Sequence, residues 1–341
     1  MKARSTMGPS MRTRPLFCNK ARLISALCAV LVSLPAAPSW AVPVLWGVDE
    51  DDGKLFRIVD YTNPLATFTN FGLLKRDATN TIGDHVDAFT LAADGTAYMA
   101  INKTVGSTAG PFLAKFNVNA ASLPSGGNPN PNILTGLTHM TGASGAITGL
   151  TLQPGTGVLF GLDRVGDSSA TDRLVTINKT TGAVTAVGNL TGLSGPIQIV
   201  GAGEDLVFDH LGNLYVTDAQ NNRLYKVNPA TGAITAMLDN NEAGGLGVSS
   251  VFFEALAWDF QNSKLLGFDD TNNIFAQLTL DDGNNGKLFV TTSSPTNLDL
   301  HDIEGMAFLP SATATPEPGT LLLLGSGLVG LGGATWRRRR R

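Results

Sequence analysis

The sequence predicts an all-β protein, a β-propeller of five four-stranded blades that is closed by its N- and C-terminal strands. Three observations lead to this fold. Short segments of alternating apolar and polar residues are separated by turn residues at hairpin spacing, as in Gly203–Leu238. The segment Thr180–Gly188 returns fifty residues later as Ala230–Leu238. Four-stranded units with a period of about 40–50 residues are typical of propeller blades.

One repeat defines the blade. Its four strands are predicted at Leu206–Phe208, Leu214–Thr217, Leu224–Val227 and Ile234–Leu238. The complete blades are predicted at Asp87–Ala121, Thr148–Val187, Glu204–Leu238 and Glu254–Thr292. These four units leave one more blade to be built from the two ends of the repeat region.

The remaining blade lacks a first strand on its N-terminal side. Val44–Asp49 and Lys54–Val59 suit its second and third strands, and Leu65–Phe71 its fourth. The missing strand is predicted at Ile303–Phe308, so that both ends of the repeat region complete one blade and remove the open sheet edges. A Pro-, Gly- and Asn-rich insertion at Ser122–Pro131 leaves six blades as an alternative.

The charge of the chain is unevenly distributed. The whole sequence has a formal net charge of −4, but residues 42–315 hold 13 Lys and Arg against 27 Asp and Glu. A body this acidic repels phosphate backbones, which argues against a nucleic-acid partner. Cys18 and Cys28 are the only cysteines, so the body has no disulfide, thiol nucleophile or thiolate metal site.

Residues 1–41 are predicted to be a secretory signal peptide. A basic leader over residues 1–22 precedes the apolar run Leu23–Leu34. Ser39, Trp40 and Ala41 then offer a small-x-small cleavage site. The apolar run is short for a membrane span, which favours a cleaved leader.

The C-terminal end, residues 313–341, has three parts that follow the predicted propeller domain of residues 42–312. Pro316, Glu317 and Pro318 precede the apolar stretch Leu321–Trp336, and five arginines end the chain. A helix over the apolar stretch would be about 24 Å long and could span a thinned bilayer. Arginines remain on the cytoplasmic side, so the body is expected outside the inner membrane.

This arrangement resembles the PEP-CTERM sorting signal of exported Gram-negative bacterial proteins. Pro316, Glu317 and Pro318 match its motif, and the apolar segment and arginine cluster follow in order. The resemblance implies recognition by an exosortase, a transient inner-membrane anchor at residues 321–336, and delivery to the cell surface or an extracellular matrix. An ordinary tail anchor is the alternative.

The predicted first strands share a pattern of side-chain size. Their large apolar residues align as the pairs Phe89/Leu91, Leu150/Leu152, Leu206/Phe208, Leu256/Trp258 and Met306/Phe308. The preceding residues are Ala88, Gly149, Asp205, Ala255 and Gly305. Successive strand residues face opposite sides, so each strand is expected to offer a bulky face to one neighbour and a small face to the other. Asp205 breaks this rule.

Two aligned sets of polar residues are expected at one mouth of the central channel. The first residues of the first strands are Asp87, Thr148, Glu204, Glu254 and Glu304. The second strands end at Asp49, Asn102, Asp163, Asp218 and Asp269. Crowded carboxylates suit Ca²⁺, which predicts a metal site of Asp87, Glu204, Glu254, Glu304 and Asp218. His85 and His301 would lie at the same mouth.

Structural interpretations stand beside this hypothesis. Strand-end Asp and Asn residues commonly bond their own turn backbone, and the carboxylates of the first strands would also serve as hydrated channel lining. His85 and His301 are either channel-mouth residues or a ligand or general base. Trp46 and Trp258 would stack on sugars if exposed, whereas aromatic residues in strands are usually core.

The body resembles bacterial repeat propellers over residues 42–310, and that resemblance implies only the fold. The leading functional hypothesis is a non-enzymatic surface or matrix protein that binds polysaccharide, another protein or a cation. The alternative is a divalent-cation-dependent hydrolase, because gluconolactonase/paraoxonase-like propellers hold a metal in the channel. His85 or His301 would then be the base.

Overall fold

The computed structural model describes a series of segments that all lie in the unit Val42–Arg341. The described residues are 42–49, 54–61, 66–74, 85–104, 108–119, 136–166, 170–192, 197–218, 221, 223–239, 253–269, 274–281, 287–292 and 302–309. The predicted signal peptide, the sorting tail with its predicted helix, and His301 lie outside them. Within this described part, no helix has the length and apolar character needed to cross a membrane.

Blade I is completed by strands from both ends of the repeat region, as predicted. It contains β1 (Val44–Asp49), β2 (Lys54–Val59), β3 (Thr67–Leu73) and β22 (Ile303–Phe308), in the order β22-β1-β2-β3. β22 pairs antiparallel with β1, and Phe308 lies opposite Leu45. Because β22 supplies the first strand of the blade that also contains β1, the N-terminal strand of the repeat region, the ring is closed by hydrogen bonds within one sheet.

Blades II and III are four-stranded antiparallel sheets. Blade II contains β4 (Val86–Leu91), β5 (Thr96–Ile101), β6 (Phe112–Asn117) and β7 (Gly136–His139). Blade III contains β8 (Ala146–Leu152), β9 (Leu159–Arg164), β10 (Arg173–Ile177) and β11 (Val184–Asn189). The fourth strand of blade II lies after the Pro-, Gly- and Asn-rich insertion and therefore beyond the predicted end of that unit at Ala121.

Blades IV and V follow the same plan. Between blades III and IV the chain forms the short strands β12 (Thr191–Gly192) and β13 (Ile197–Gln198). Blade IV contains β14 (Gly203–Phe208), β15 (Leu214–Asp218), β16 (Arg223–Val227) and β17 (Ile234–Asp239). Blade V contains β18 (Phe253–Asp259), β19 (Lys264–Asp269), β20 (Ile274–Asp281) and β21 (Lys287–Thr292). The β12–β13 hairpin, in which β12 also pairs parallel with β17, was not among the predicted strands.

The first strands form the inner ring of a five-bladed propeller. They are β22, β4, β8, β14 and β18, and each contacts the first strands of the two blades beside it. β22 also contacts β8 and β14 across the ring, which makes the channel narrow. The five-bladed arrangement is confirmed, and the six-bladed alternative is set aside.

The core consists of five apolar clusters, one at each interface between blades. The bulky residues of each first strand pack on the preceding blade, as Phe208 does on Phe160 of blade III. The small residues face the following blade, and a Cβ at Gly305 would overlap the backbone of Phe89 in blade II. The predicted division into bulky and small faces therefore explains how neighbouring sheets pack.

Candidate functional site

The first strands bring their equivalent residues together at the two ends of the channel. We call the end at which these strands begin the acidic mouth, defined by Asp87, Thr148, Glu204, Glu254 and Glu304, which are the second or third residues of their strands. We call the other end the pocket mouth, defined by Leu91, Leu152, Phe208, Trp258 and Phe308, which line one cavity. The two mouths differ in chemistry and are described in turn.

An arginine interrupts the ring at the acidic mouth. Arg164, the last residue of β9, donates to the Glu204 carboxylate at 2.5 Å and to the carbonyl oxygen of Gly201 at 3.2 Å. Its charge also acts on Asp87, whose carboxylate accepts a hydrogen bond from the Asn102 amide. Two of the five predicted metal ligands, Glu204 and Asp87, therefore lie near the positive charge of Arg164, a residue that was not predicted at this site.

Burial and neighbouring charges change the pKa values of Glu204 and Asp87 at this part of the acidic mouth. Burial raises the pKa of Glu204 to about 7, although the Arg164 guanidinium opposes the shift. The charges of Asp172, Asp87 and Asp218 raise it further. Burial also raises the pKa of Asp87, against the hydrogen bond from Asn102. These carboxylates are close enough to disfavour one another's ionisation.

A second group of carboxylates lies on blades V and I. Carboxylate oxygens of Glu254, Asp302 and Glu304 lie within 4.8 Å of one another, and all three residues are partly buried. Glu254 and Glu304 belong to the predicted metal set, whereas Asp302 was not selected. Oxygen ligands at this spacing suit a hard cation such as Ca²⁺.

The strand-end residues described with side-chain partners serve structural roles. Asp218 accepts the backbone N–H and the side-chain amide of Asn221 at 3.0 and 2.9 Å. Asp163 accepts the backbone N–H groups of Ser144 and Gly145 and pairs with Arg173. These contacts use the carboxylates to hold turns and adjacent strands, as the structural interpretation proposed.

The other predicted residues of the acidic mouth differ in their surroundings. Thr148 is buried and donates to the carbonyl oxygen of Gly203 at 2.9 Å, so it bonds blade III to blade IV. His85 is partly buried, and its charge acts on Asp87. His301 lies outside the described residues.

Asp205 occupies the interior of the molecule. It is 1% exposed, and its carboxylate accepts the backbone N–H groups of Leu206 and Leu256, each at 2.7 Å. Leu150 supplies a further backbone hydrogen bond. Burial raises the pKa of Asp205 well above its ordinary value, against these hydrogen bonds. Asp205, which stands where the other first strands have Ala or Gly, therefore forms hydrogen bonds with the first strands of three consecutive blades.

The pocket mouth opens into a cavity of about 700 Å³ that the sequence analysis did not anticipate. Residues at the C-terminal ends of all five first strands line the cavity, together with residues of the turns after β4, β8, β14 and β18, and most of the lining is apolar. A volume of this size is within the range of small-molecule binding pockets in proteins. The cavity is therefore the second candidate site.

Trp258, His210 and Lys179 are polar residues of the cavity wall, which also contains Thr90, Thr151, Gln153 and Thr156. Trp258 is 7% exposed, and its indole Nε1 is buried without a hydrogen-bond partner among the described residues. The exposed ring of His210 stacks on Trp258 with a centroid distance of 5.5 Å. The Lys179 ammonium donates to the carbonyl oxygen of Gly157 at 2.8 Å and lies 6.0 Å from the ring centre of Tyr98.

Solved structures similar to this chain come from several kinds of protein. Virginiamycin B lyase from Staphylococcus aureus is 14% identical with a TM-score of 0.40, over 74% of this chain and 71% of that one. A nidogen/laminin complex gives 15% identity and a TM-score of 0.42, over 79% and 98%. A protein of unknown function from Bacteroides caccae gives 10% and 0.42, over 79% and 99%. At these values the similarities carry no argument about function.

One protein-family match was found, and it covers the C-terminal end of the chain. No curated protein matches the sequence. Residues 314–340 match the PEP-CTERM protein-sorting motif, as the sequence analysis predicted. The motif implies an exported protein of a Gram-negative bacterium that an exosortase sorts at the membrane. The chain therefore carries a PEP-CTERM sorting motif after a five-bladed propeller.

Proposed function

We propose that this chain is a non-enzymatic binding module of the cell surface or extracellular matrix, with the cavity at the pocket mouth as its binding site. In this proposal a cleaved signal peptide directs export, and the apolar segment 321–336 anchors the protein transiently until the exosortase acts. The bound partner is an exopolysaccharide, a surface protein or a smaller component of that environment.

The indole N–H of Trp258 carries this proposal. A buried donor without an acceptor costs about 1–3 kcal/mol, so native structures rarely leave one in place without a reason. Trp258 lies on the wall of a largely apolar cavity of about 700 Å³. A ligand with an apolar body would fill the cavity, and a shift of the Trp258 ring on binding would let one acceptor oxygen of the ligand satisfy the donor.

A divalent-cation-dependent hydrolase is the second candidate, with its centre at the acidic mouth. The grouping of Glu254, Asp302 and Glu304 within 4.8 Å favours it. The position of Arg164 beside Glu204 opposes a five-ligand site, because a guanidinium repels the cation that those carboxylates would share. A cation at the smaller group is compatible with either function.

An apolar fluorescent probe tests the binding site. The full chain would be titrated with 8-anilinonaphthalene-1-sulfonate, alongside Ala93→Trp and Glu304→Gln. Ala93 is exposed and lines the cavity, so a tryptophan there narrows the opening without replacing a core residue. We expect Ala93→Trp to weaken probe binding by about tenfold, equivalent to about 1.4 kcal/mol. Glu304→Gln, at the other mouth, should bind as the parent does.

Saccharide fragments and candidate surface proteins would then be tested as competitors of the probe. Displacement that is lost in Ala93→Trp would identify the ligand class. Equal probe binding by the parent and Ala93→Trp would refute the cavity as the binding site.

A further inference from the structure

The exposed large apolar side chains of the described residues all lie at the pocket-mouth end. They are Val42, Val158 and Leu211, which are 49%, 39% and 74% exposed. Val158 and Leu211 follow Gly157 and His210, which line the cavity. Val42 precedes β1, whose first residues lie beside the last residues of β22. The cavity is therefore bordered by apolar groups that water solvates poorly.

The cavity wall contains a cationic side chain, which can bind an anionic group. Lys179 lines the cavity, in a body that is otherwise strongly acidic. Its ammonium group has three N–H donors, so it can bind an anionic oxygen while it donates to Gly157. An apolar chain with an acidic end matches these features.

The polypeptide leaves the described fold at the same mouth. β22 ends at Phe308, which lines the cavity, and the N–H of Leu309 donates to the carbonyl oxygen of Val44 at 3.3 Å. Residues 310–320 then separate the propeller from the apolar segment of the sorting signal. Eleven residues reach at most about 40 Å when fully extended.

This linker length constrains which mouth faces the membrane. To reach the level of the acidic mouth, the linker would have to pass around a blade of four strands. The strands are about 4.8 Å apart and about 20 Å long, so this path is roughly 35 Å. Such a route would use nearly the whole linker. Turning the pocket mouth toward the membrane needs no such extension, so that orientation is favoured whenever residues 321–336 lie in the bilayer.

We infer that the pocket mouth is a lipid-binding face that rests on the membrane while the sorting segment is attached. Leu211 and Val158 enter the interfacial region, and the cavity takes an acyl chain of an anionic phospholipid whose headgroup contacts Lys179. This inference rests on the proposed function, since it specifies the ligand of the same cavity.

Site-specific fluorescence in vesicles tests the inference. The full chain with Cys18→Ser and Cys28→Ser would carry one new cysteine, at Leu211→Cys or at the control Thr104→Cys. Thr104 is exposed and follows β5, whose end lies at the acidic mouth. Each would be labelled with a nitrobenzoxadiazole dye and reconstituted into phosphatidylcholine vesicles with and without phosphatidylglycerol.

We expect a blue shift and quenching by spin-labelled lipid at position 211, with emission typical of water at position 104. Quenching at 211 should increase when phosphatidylglycerol is included, and Lys179→Gln should remove that increase. Equal emission from the two positions, or stronger quenching at 104, would overturn the inference.

The anilinonaphthalene titration separates this failure from failure of the proposed function. Probe binding that is sensitive to Ala93→Trp, with no quenching at position 211, would leave a binding site for a different ligand and reject lipid. Loss of both signals would reject the binding site itself.

Discussion

The carboxylate of Asp205 accepts the backbone N–H of Leu256 at 2.7 Å, so a side chain of blade IV is hydrogen-bonded to the first strand of blade V. The neighbouring blades place Ala88, Gly149, Ala255 or Gly305 at the equivalent position. Blade IV therefore uses a polar contact where the other blades use close packing of small residues. A buried acceptor with several amide donors is stabilising only while all of them remain paired.

Replacing this carboxylate should destabilise the fold although it restores the small-residue pattern. In Asp205→Ala the buried amides of Leu206 and Leu256 lose their acceptor. Each loss costs about 1–3 kcal/mol, so we expect the free energy of unfolding to fall by about 2–5 kcal/mol. Asp205→Asn retains one carbonyl oxygen and should lie between the two. Urea unfolding measures this, and an Asp205→Ala variant as stable as the parent would contradict the proposed role.

A tyrosine links blade I, whose sheet closes the ring, to blade V. The Tyr61 hydroxyl donates to the Asp259 carboxylate at 2.7 Å, and the contact joins blade I to blade V. Tyr61→Phe should lower the free energy of unfolding by about 1.5–3 kcal/mol, the usual contribution of a hydrogen bond to a charged group. Tyr215→Phe is the control, because its bond to Asp209 is longer, at 3.4 Å, and stays within blade IV. Equal losses in both variants would argue against a special contribution from the contact between blades.

The pKa of Glu204 predicts how stability depends on pH. Burial raises it from 4.5 to about 7, so the folded state retains a proton that the unfolded chain releases between these values. This contribution is therefore complete below pH 4.5 and is lost as the pH rises through 7. Glu204→Gln does not titrate, so from pH 5 to pH 8 the parent should lose up to about 3 kcal/mol relative to it.

Urea unfolding of both proteins at the two pH values measures that difference. Asp94→Asn is a matched control, since the pKa of Asp94 is lowered by hydrogen bonds from Thr96 and its titration is complete below this range. The difference between Asp94→Asn and the parent should stay constant. A parent that gains stability relative to Glu204→Gln as the pH rises would contradict the prediction.

Calcium should stabilise the protein through the carboxylate group of blades V and I. Relief of repulsion among Glu254, Asp302 and Glu304 is expected to raise the Tm by about 2–4 °C at millimolar Ca²⁺. Glu254→Gln combined with Glu304→Gln should abolish the shift, and Glu204→Gln should preserve it because Glu204 pairs with Arg164. An unchanged Tm in the presence of Ca²⁺ would contradict the presence of a cation site at these carboxylates. Calcium-dependent hydrolysis of lactones or esters that is lost in the double variant would favour the hydrolase.

The repeat made much of the fold predictable from the sequence. Val44–Asp49 and Ile303–Phe308 were predicted with the observed bounds, because alternation and turn residues mark both ends of these strands. The position of Ile303–Phe308 in the repeat also identified the strand that closes the ring. The fourth strand of blade II was harder to predict, because it follows an insertion that interrupts the sequence repeat.

The candidate sites were less predictable because they depend on contacts between blades. Arg164 stands outside the aligned acidic positions, and only the folded ring brings it to Glu204. The cavity is the space left between five strand ends, and no single repeat encodes that space. His210 drew no prediction because its role depends on stacking against Trp258, 48 residues further along the chain.

Fluorine NMR of the full chain labelled with 5-fluorotryptophan tests the binding site most directly. Trp258 lines the cavity, whereas Trp46 is stacked on Phe71 in the cluster between blades I and II. Trp258→Phe would assign the cavity resonance. On titration with 8-anilinonaphthalene-1-sulfonate, we expect the Trp258 resonance to move with saturation while the Trp46 resonance stays in place. Probe binding that leaves the Trp258 resonance unchanged would contradict the assignment of the pocket mouth as the binding site.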